Sequence, residues 1–350
     1  MPAPPQLLTQ RQLNRALLAR QMLLERARTS VPKGLDRMGG LQAQYAPAMY
    51  IGLWSRLEGL SRDDVDAALE QRTAVQGTLL RGTIHLVSTA DYWPLALATR
   101  KAMRDWYSRV AWHNDPPERV AEVAARVREM LRQRSPQTRK ELQGSMTNVM
   151  WNGVGFWLNL VRVPPSGTWA RRRADIYAAS EDWIGPASGG LDLDTALDHT
   201  VTRYLTGFGP ASAAEAANWA GLKTASAVTP SLERLRLVRF RAENGDELVD
   251  LPRAPRPDPD TPAPVRFLPV WDATLLAHAR RALVLREEDR PRVFNTKTPH
   301  SVNTFLVDGQ VAGTWRYERG RVAPSPFRTL DRRTMRQVEE EAARLAEFHA

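Results

Sequence analysis

Six prolines, Pro252, Pro255, Pro257, Pro259, Pro262 and Pro264, fall within thirteen consecutive residues. Proline fixes φ and has no N–H to donate, so a run at this spacing can continue neither a helix nor the ladder of a sheet. Residues 253–264 therefore read as a linker that divides the chain. A length of 350 residues leaves room for two or three compact units or a series of small modules. With 43% hydrophobic and 25% charged residues, the balance is that of a globular protein rather than a disordered one. No apolar run reaches the ~18 residues of a membrane span. Met1-Pro2-Ala3-Pro4-Pro5 has neither the basic nor the apolar region of a secretory signal, so a cytoplasmic protein is expected. The absence of cysteine excludes disulfides, thiolate nucleophiles, iron–sulfur clusters and Cys-type zinc sites.

Before the linker, one order of elements recurs. Residues 7–25 place Leu13, Leu17 and Leu24 at helical spacing behind Thr9 as N-cap. A second short helix within 33–40 follows Pro32 and stops at Gly39-Gly40. Ser61, with Asp63 and Asp64 in the first turn, opens another that runs to about Gln71. The β-branched and apolar run Thr78-Leu79-Leu80-Arg81-Gly82-Thr83-Ile84-His85-Leu86-Val87 then reads as a strand or hairpin. Helices followed by a hairpin are the plan of a winged helix. Helical stretches at 118–134, 139–146 and 154–161, a break at Pro164-Pro165-Ser166-Gly167 and a short strand-like run at 168–176 repeat it. A third version has helices at 194–205, from Ser212 through Trp219 to a stop at Gly221, and at 229–235. Its strands at 237–240 and 247–251 are joined by Glu243-Asn244-Gly245, a strong hairpin signal.

After the linker, 265–270, 281–285, 302–307 and 311–315 are strand-like, Asp308-Gly309 makes a tight turn, and 331–348 is helical by period. The expected fold is thus α+β. Three tandem winged-helix modules (helix-turn-helix plus wing) occupy 7–115, 116–190 and 191–252, and a C-terminal β-barrel with a helix occupies 265–350.

The charge is strongly one-sided: 49 Lys+Arg against 39 Asp+Glu give +10 and a pI of about 10.3. That excess points to a polyanionic partner, because neutralising phosphates releases condensed counterions. Only Lys33, Lys101, Lys140, Lys223 and Lys297 are lysines, which leaves 44 of the 49 cations as arginine. The arginine excess reads either as bidentate phosphate recognition or as a coding bias toward Arg, Ala and Pro. Conventional catalytic signatures are missing. His85, His113, His199, His278, His300 and His349 include no HExxH or His-x-His spacing, and no P-loop, GxGxxG after a strand or GxSxG occurs. No metal and no nucleotide cofactor is expected.

One segment carries polar residues in a chemically suggestive spacing: Gly39-Gly40-Leu41-Gln42-Ala43-Gln44-Tyr45-Ala46-Pro47. Residues two apart diverge on a helix but point to one side of an extended chain. The flanking glycines and Pro47 argue against helix, so the two amides could converge; the alternative is a pair of solvated turn residues.

These residues, with four further phrases in the same order, resemble the AlkZ-like DNA glycosylases, winged-helix proteins related to the YcaQ subfamily. The other phrases are Leu80-Arg81-Gly82-Thr83-Ile84-His85-Leu86-Val87, Tyr204-Leu205-Thr206-Gly207-Phe208-Gly209-Pro210-Ala211 with Trp219 and Gly221, Leu268-Pro269-Val270-Trp271-Asp272-Ala273-Thr274-Leu275-Leu276, and Val307-Asp308-Gly309-Gln310-Val311-Ala312-Gly313-Thr314-Trp315-Arg316. The likeness runs from about Leu8 to Phe327. Trp271 stands where Phe is common, and Ala277-His278 where Gly-Tyr is common.

The resemblance implies a monofunctional glycosylase that releases N7-alkylated purines and, in some members, unhooks interstrand cross-links, in repair or genotoxin self-resistance. The catalytic pair is Gln-apolar-Gln in the AlkZ branch and Gln-apolar-Asp in the YcaQ branch, so Gln42 and Gln44 place this chain in the former. The implied partner is double-stranded DNA carrying alkylated purines or cross-links, with no membrane, and nothing in the motifs demands more than a monomer. DNA contacts are expected from Arg81, Thr83 and His85, which alternation puts on one face of a strand, and from Lys297, His300 and Arg316 around the barrel hairpins. A buried hydrogen-bonding role is the other reading of His85. Arg171-Arg172-Arg173 reads as a solvated turn or a phosphate contact. A non-enzymatic winged-helix regulator, or a damage-binding protein without catalysis, fits the charge equally; sequence readout has no need of an amide pair, which favours the enzyme. If the basic surface binds DNA, log affinity falls linearly with log salt concentration in anisotropy titrations. A flat response excludes that use of the charge.

Overall fold

The computed structural model describes residues 5–111, 115–276, 281–294 and 301–350. The chain opens with β1 (Gln6–Leu8) and α1 (Gln10–Arg20). Thr9 starts α1 by a reciprocal capping box with Gln12, satisfying two backbone N–H groups at once. The helix ends short of residue 25 because Met22 turns into the left-handed region at φ 55.

Three units follow, each with a short strand ahead of a helix that returns to pair with a later hairpin. In the first, α2 (Val31–Met38), β2 (Leu41–Gln42), α3 (Ala46–Trp54) and α4 (Arg62–Glu70) lead to the hairpin β3 (Ala74–Thr78) and β4 (Ile84–Ser88). β2 pairs antiparallel with β4. The long helix α5 (Thr89–Ala111) carries the chain to the second unit, α6 (Pro117–Gln133), β5 (Gln137–Thr138), α7 (Arg139–Gln143), α8 (Asn148–Trp157), β6 (Leu160–Arg162) and β7 (Ile176–Ala179), where β5 pairs with β7. After α9 (Ser180–Trp183), the third has α10 (Leu193–Phe208), α11 (Ala213–Ala220), α12 (Thr229–Arg234), β8 (Val238–Ala242) and β9 (Glu247–Asp250). There Ala211, just ahead of α11, bridges Val249.

The first two hairpins fuse. β3 pairs with β6, giving one six-stranded sheet in the order β2-β4-β3-β6-β7-β5. This pairing corrects the helical reading of 154–161: the helix stops at Trp157, and Val161 and Arg162 turn into a strand because Gly77 and Gln76 offer them backbone partners. The strand expected at 168–176 begins only at Ile176. β1 pairs in parallel with β8, so the N-terminal segment completes the third unit's sheet and α1 packs on α10.

Beyond the linker come β10 (Arg266–Leu268), α13 (Ala273–Leu276), α14 (Arg290–Val293), β11 (Thr304–Val307), β12 (Gln310–Glu318), β13 (Arg321–Pro326) and α15 (Arg332–His349). Among the described residues these strands form an open meander, β10-β11-β12-β13, packed against α15, without the closing pair of a barrel. Residues 281–285 are not a strand; Arg281–Leu283 forms a 3₁₀ turn. No helix among the described residues is long and apolar enough to cross a membrane.

The proline linker is held in place by α1. Its carbonyls have no ladder partner and accept instead from guanidinium groups: Arg11 Nε to Pro259 O at 2.8 Å, Arg15 Nε to Thr261 O at 2.7 Å and Arg20 Nη2 to Pro255 O at 3.2 Å. Arg20 also forms a fully buried bidentate pair with Asp250, at 2.8 and 2.7 Å, and donates to Leu205 O. Arg256 also reaches Asp250, but without Arg20 the buried carboxylate loses its bidentate partner, so Arg20→Ala costs stability at the lower end of ~3–5 kcal/mol in chemical denaturation. The apolar double replacement Arg20→Met with Asp250→Leu recovers much of that loss; an equal loss in both variants would show that the stranded charge is not the cause.

Candidate active-site cleft

The Gln42-Ala43-Gln44 element is extended because of what stands on either side. Helix α2 ends at Gly39, in the left-handed region at φ 76. Gly40 follows at φ 79, where a Cβ would meet Val87 Cγ1 at 2.8 Å and Leu86 O at 3.0 Å, so only glycine lets the chain lie this close to β4. Leu41 and Gln42 then pair with Leu86 and His85, Ala43 N–H donates to Ile84 O at 2.8 Å, and Tyr45 caps α3 with Pro47 in its first turn. Leu41 and Ala43 are buried, while Gln42 and Gln44 face the other way, toward solvent. The amides meet: Gln42 Nε2 donates to Gln44 Oε1 at 2.5 Å. Gln42 Oε1 and Gln44 Nε2 take no partner among the described residues, leaving an acceptor oxygen and a donor NH2 group for water or substrate.

His85, the register partner of Gln42, lies beneath this element. It is 3% exposed, with Nδ1 3.1 Å from Thr83 O and 3.4 Å from Thr83 Oγ1. Burial, and then the charge of Arg81, push its pKa down to about 3, so the ring is neutral and Nδ1–H donates to Thr83 O. The ring thus sits in the buried, hydrogen-bonded setting that the second reading of His85 describes. Arg81, Thr83 and His85 do not share one face of a strand. Leu80–Gly82 is a 3₁₀ turn with Arg81 at φ 54, and Nη1 of Arg81 donates to Trp219 O at the C-terminal end of α11, at 2.6 Å. Gly221 makes that approach possible, since a Cβ there would lie 2.8 Å from Arg81 Cα. Arg81 thus latches the first hairpin to the third unit.

Gln44 lines a cleft of about 880 Å³ between the three units. One wall is the β3–β4 turn, with Arg81 and Thr83, and another is α5, with Lys101, Met103 and Trp106. Phe156 and Arg162 come from the second unit, Leu197 and Lys223 from the third. Trp106 is 52% exposed and stands edge-on to Phe156. The cleft is electropositive: Lys101 pairs with Asp105 at 2.7 Å, but Arg81, Arg109, Arg162 and Lys223 have no carboxylate partner among the described residues. The polar stripe Lys101, Asp105, Arg109 at four-residue spacing, with Trp106 set in it, was the available sequence signal for this wall and was missed.

The other expected contacts are dispersed. Arg316 sits at the exposed end of β12, 4.0 Å from Glu318 and away from the cleft lining. Lys297 and His300 lie outside the described residues. Of the arginine triplet, Arg171 pairs with Asp175, while Arg172 reaches the Tyr45 hydroxyl at 3.3 Å, next to Gln44.

A pair of neutral amides thus stands at the edge of a basic cleft, on a scaffold of strand-and-hairpin helical units, an arrangement that suits a polyanionic ligand. Residues 35–348 match the model of the DNA glycosylase AlkZ-like family, and the chain belongs to that family. It is a DNA glycosylase, a hydrolase acting on DNA. An interstrand DNA cross-link repair glycosylase of Streptomyces sahachiroi is 22% identical to it over 367 residues, covering 94% of this chain and 93% of that protein. The solved structure of Streptomyces sahachiroi DNA glycosylase AlkZ shares the fold, with a TM-score of 0.82 at 20% identity over 98% of this chain and 97% of that one.

The neutral state of His85 has a measurable consequence. Its folded pKa of about 3 lies below the ordinary 6.5. Between those values the unfolded chain binds a proton that the folded chain refuses, so stability is full above pH 6.5 and falls as the pH drops, by up to ~1.4 kcal/mol per unit. Melting temperatures followed from about pH 7 to about pH 4 give a shallower slope for His85→Gln than for the wild type. Equal slopes would remove His85 as the titrating group.

Proposed function

We propose that Gln42 and Gln44 are the catalytic pair of a monofunctional glycosylase that hydrolyses the N-glycosidic bond of N7-alkylated purines. The observation that carries this reading is the contact between the two amides, 2.5 Å apart on the solvent side of an element whose other face is buried. The chemistry suits neutral groups. Alkylation at N7 makes the purine cationic, so the C1′–N9 bond breaks with its electron pair passing to a base that departs neutral. No acid is required for the leaving group. What remains is an oxocarbenium-like sugar and a water on its far face. Gln42 Oε1 is placed to orient that water and to stabilise the developing positive charge. The water gives its proton to solvent as it adds to C1′, since an amide cannot hold it.

The same reading extends to scaffold and substrate range. We read the three units as winged helices over 7–115, 116–190 and 191–252, and the C-terminal sheet with α15 as a barrel-type module over 265–350. The repeated pairing of a short strand with the later hairpin, in β2 with β4, β5 with β7 and Ala211 with Val249, supports the winged-helix plan. Duplex DNA with alkylated purines is the substrate. Unhooking of interstrand cross-links, in repair or self-resistance, is supported by the likeness to the interstrand cross-link repair glycosylase of Streptomyces sahachiroi.

Excision of N7-methylguanine from duplex DNA tests the pair. Gln42→Ala and Gln44→Ala each slow single-turnover release by ~10²-fold or more, the usual loss when a positioned polar catalytic group is removed. Unchanged rates in both variants overturn the assignment.

A further inference from the structure

One cation in the cleft has no part in that hydrolysis and no carboxylate partner among the described residues. Among the described residues, Arg15, Arg20, Arg56, Arg162 and Arg266 are the buried arginines. Arg15 pairs with Asp308, Arg20 with Asp250, Arg56 with Asp272 and Arg266 with Glu341. Arg162 alone of these pairs with no carboxylate. It is 8% exposed, its Nε has no hydrogen-bond partner, and its guanidinium lies 5.5 Å from the Tyr177 ring. Burial pushes its pKa down, and the hydroxyl of Tyr177, a neutral group that carries no counter-charge, offsets this only in part. Withdrawing an uncompensated guanidinium from water is strongly unfavourable. The fold nevertheless holds it where β6 crosses to β3, lining the cleft that Gln44 also lines. The missing counter-charge is therefore supplied from outside, and the cleft gives access to it. In a protein whose substrate is DNA, the anion that fits the planar fork is a phosphodiester.

We propose that Arg162 is a phosphate anchor: its guanidinium takes one phosphodiester of the strand carrying the target nucleotide and fixes that nucleotide's sugar against Gln42 and Gln44. The positioning half of this statement rests on reading the glutamines as the catalytic pair, whereas the phosphate contact is read by binding alone. Arg162 acts by position, not on the breaking bond.

The test uses duplexes bearing one N7-methylguanine on a 2′-fluorinated sugar, which resists hydrolysis. Each phosphodiester near the lesion is replaced in turn by an uncharged methylphosphonate, and equilibrium binding is titrated with the wild type, Arg162→Gln and Arg162→Lys. One replacement on the lesion strand weakens wild-type binding ~10-fold, as the loss of a charge-assisted hydrogen bond does. With Arg162→Gln that same replacement costs nothing further, and the log–log salt slope falls by about 1. Arg162→Lys, which keeps the charge but loses the fork, remains sensitive at that position. Methylphosphonate and Arg162→Gln effects that multiply at every position overturn the proposal. So does a wild-type scan with no sensitive phosphate, an outcome that requires no variant to fold. If the scan shows the anchor while Gln42→Ala and Gln44→Ala excise normally, the catalytic reading fails and the phosphate contact stands.

Discussion

Guanidinium–carboxylate contacts, most of them buried, hold the two ends of this chain together. Arg15, Arg20, Arg26 and Arg56 reach Asp308, Asp250, Glu341 and Asp272, each more than two hundred residues further along. The Arg20 and Arg56 pairs are entirely removed from solvent and bidentate, and each guanidinium also donates to a backbone carbonyl, Leu205 O for Arg20 and Gly52 O for Arg56. A pair so buried gains little over an apolar contact of the same volume, but either partner alone is very costly, so the two ends must dock in one register. This docking closes the third unit's sheet with β1 and packs the C-terminal meander against α3, where Ile51 and Trp54 share a core with Phe267 and Trp315. It also gives the arginine excess a use that neither phosphate recognition nor composition bias describes.

The cleft follows from that closure. Its walls belong to three units, and Arg81 binds the first hairpin to the end of α11 while β3 and β6 fuse the first two sheets. The amides therefore sit on a frame fixed from several directions, with glycine at positions 39 and 40 to bring the strand against β4 and a neutral, buried histidine beneath. Rigid support of this kind suits a reaction whose demand is for geometry. An amide pair has no proton to exchange, and its contribution depends on where its oxygen points.

Much of the local structure was legible in the sequence because it depends on near neighbours. The Thr9, Ser61 and Ser212 caps, the glycine stops at 39 and 221, and the turns at Gly245 and Gly309 are set by side chains within four residues. The convergence of Gln42 and Gln44 was legible for the same reason, from alternation between flanking breakers. The strand at Leu160–Arg162 was not, since its pattern is that of a helix end and its partner is β3. Nor was the placement of β1, whose partner is β8 in the third unit. Arg81 was misplaced because alternation continues through a turn on paper but not in space, where φ 54 reverses the chain.

Capped helices, turns and the extended amide element could be read from the sequence alone, because capping, backbone dihedral freedom and hydrophobic period act over a few residues, whereas α3, which has no side-chain cap, and α5 were not. The sequence also determined the family, through phrases that survive in order along the chain. Only the tertiary structure decided which arginines are internal ties and which face the cleft. A guanidinium reads the same in sequence whether its counter-charge is a distant carboxylate or a ligand. The difference between Arg20 and Arg162 lies in a carboxylate brought near by folding in one case, where the other has the Tyr177 ring beside it.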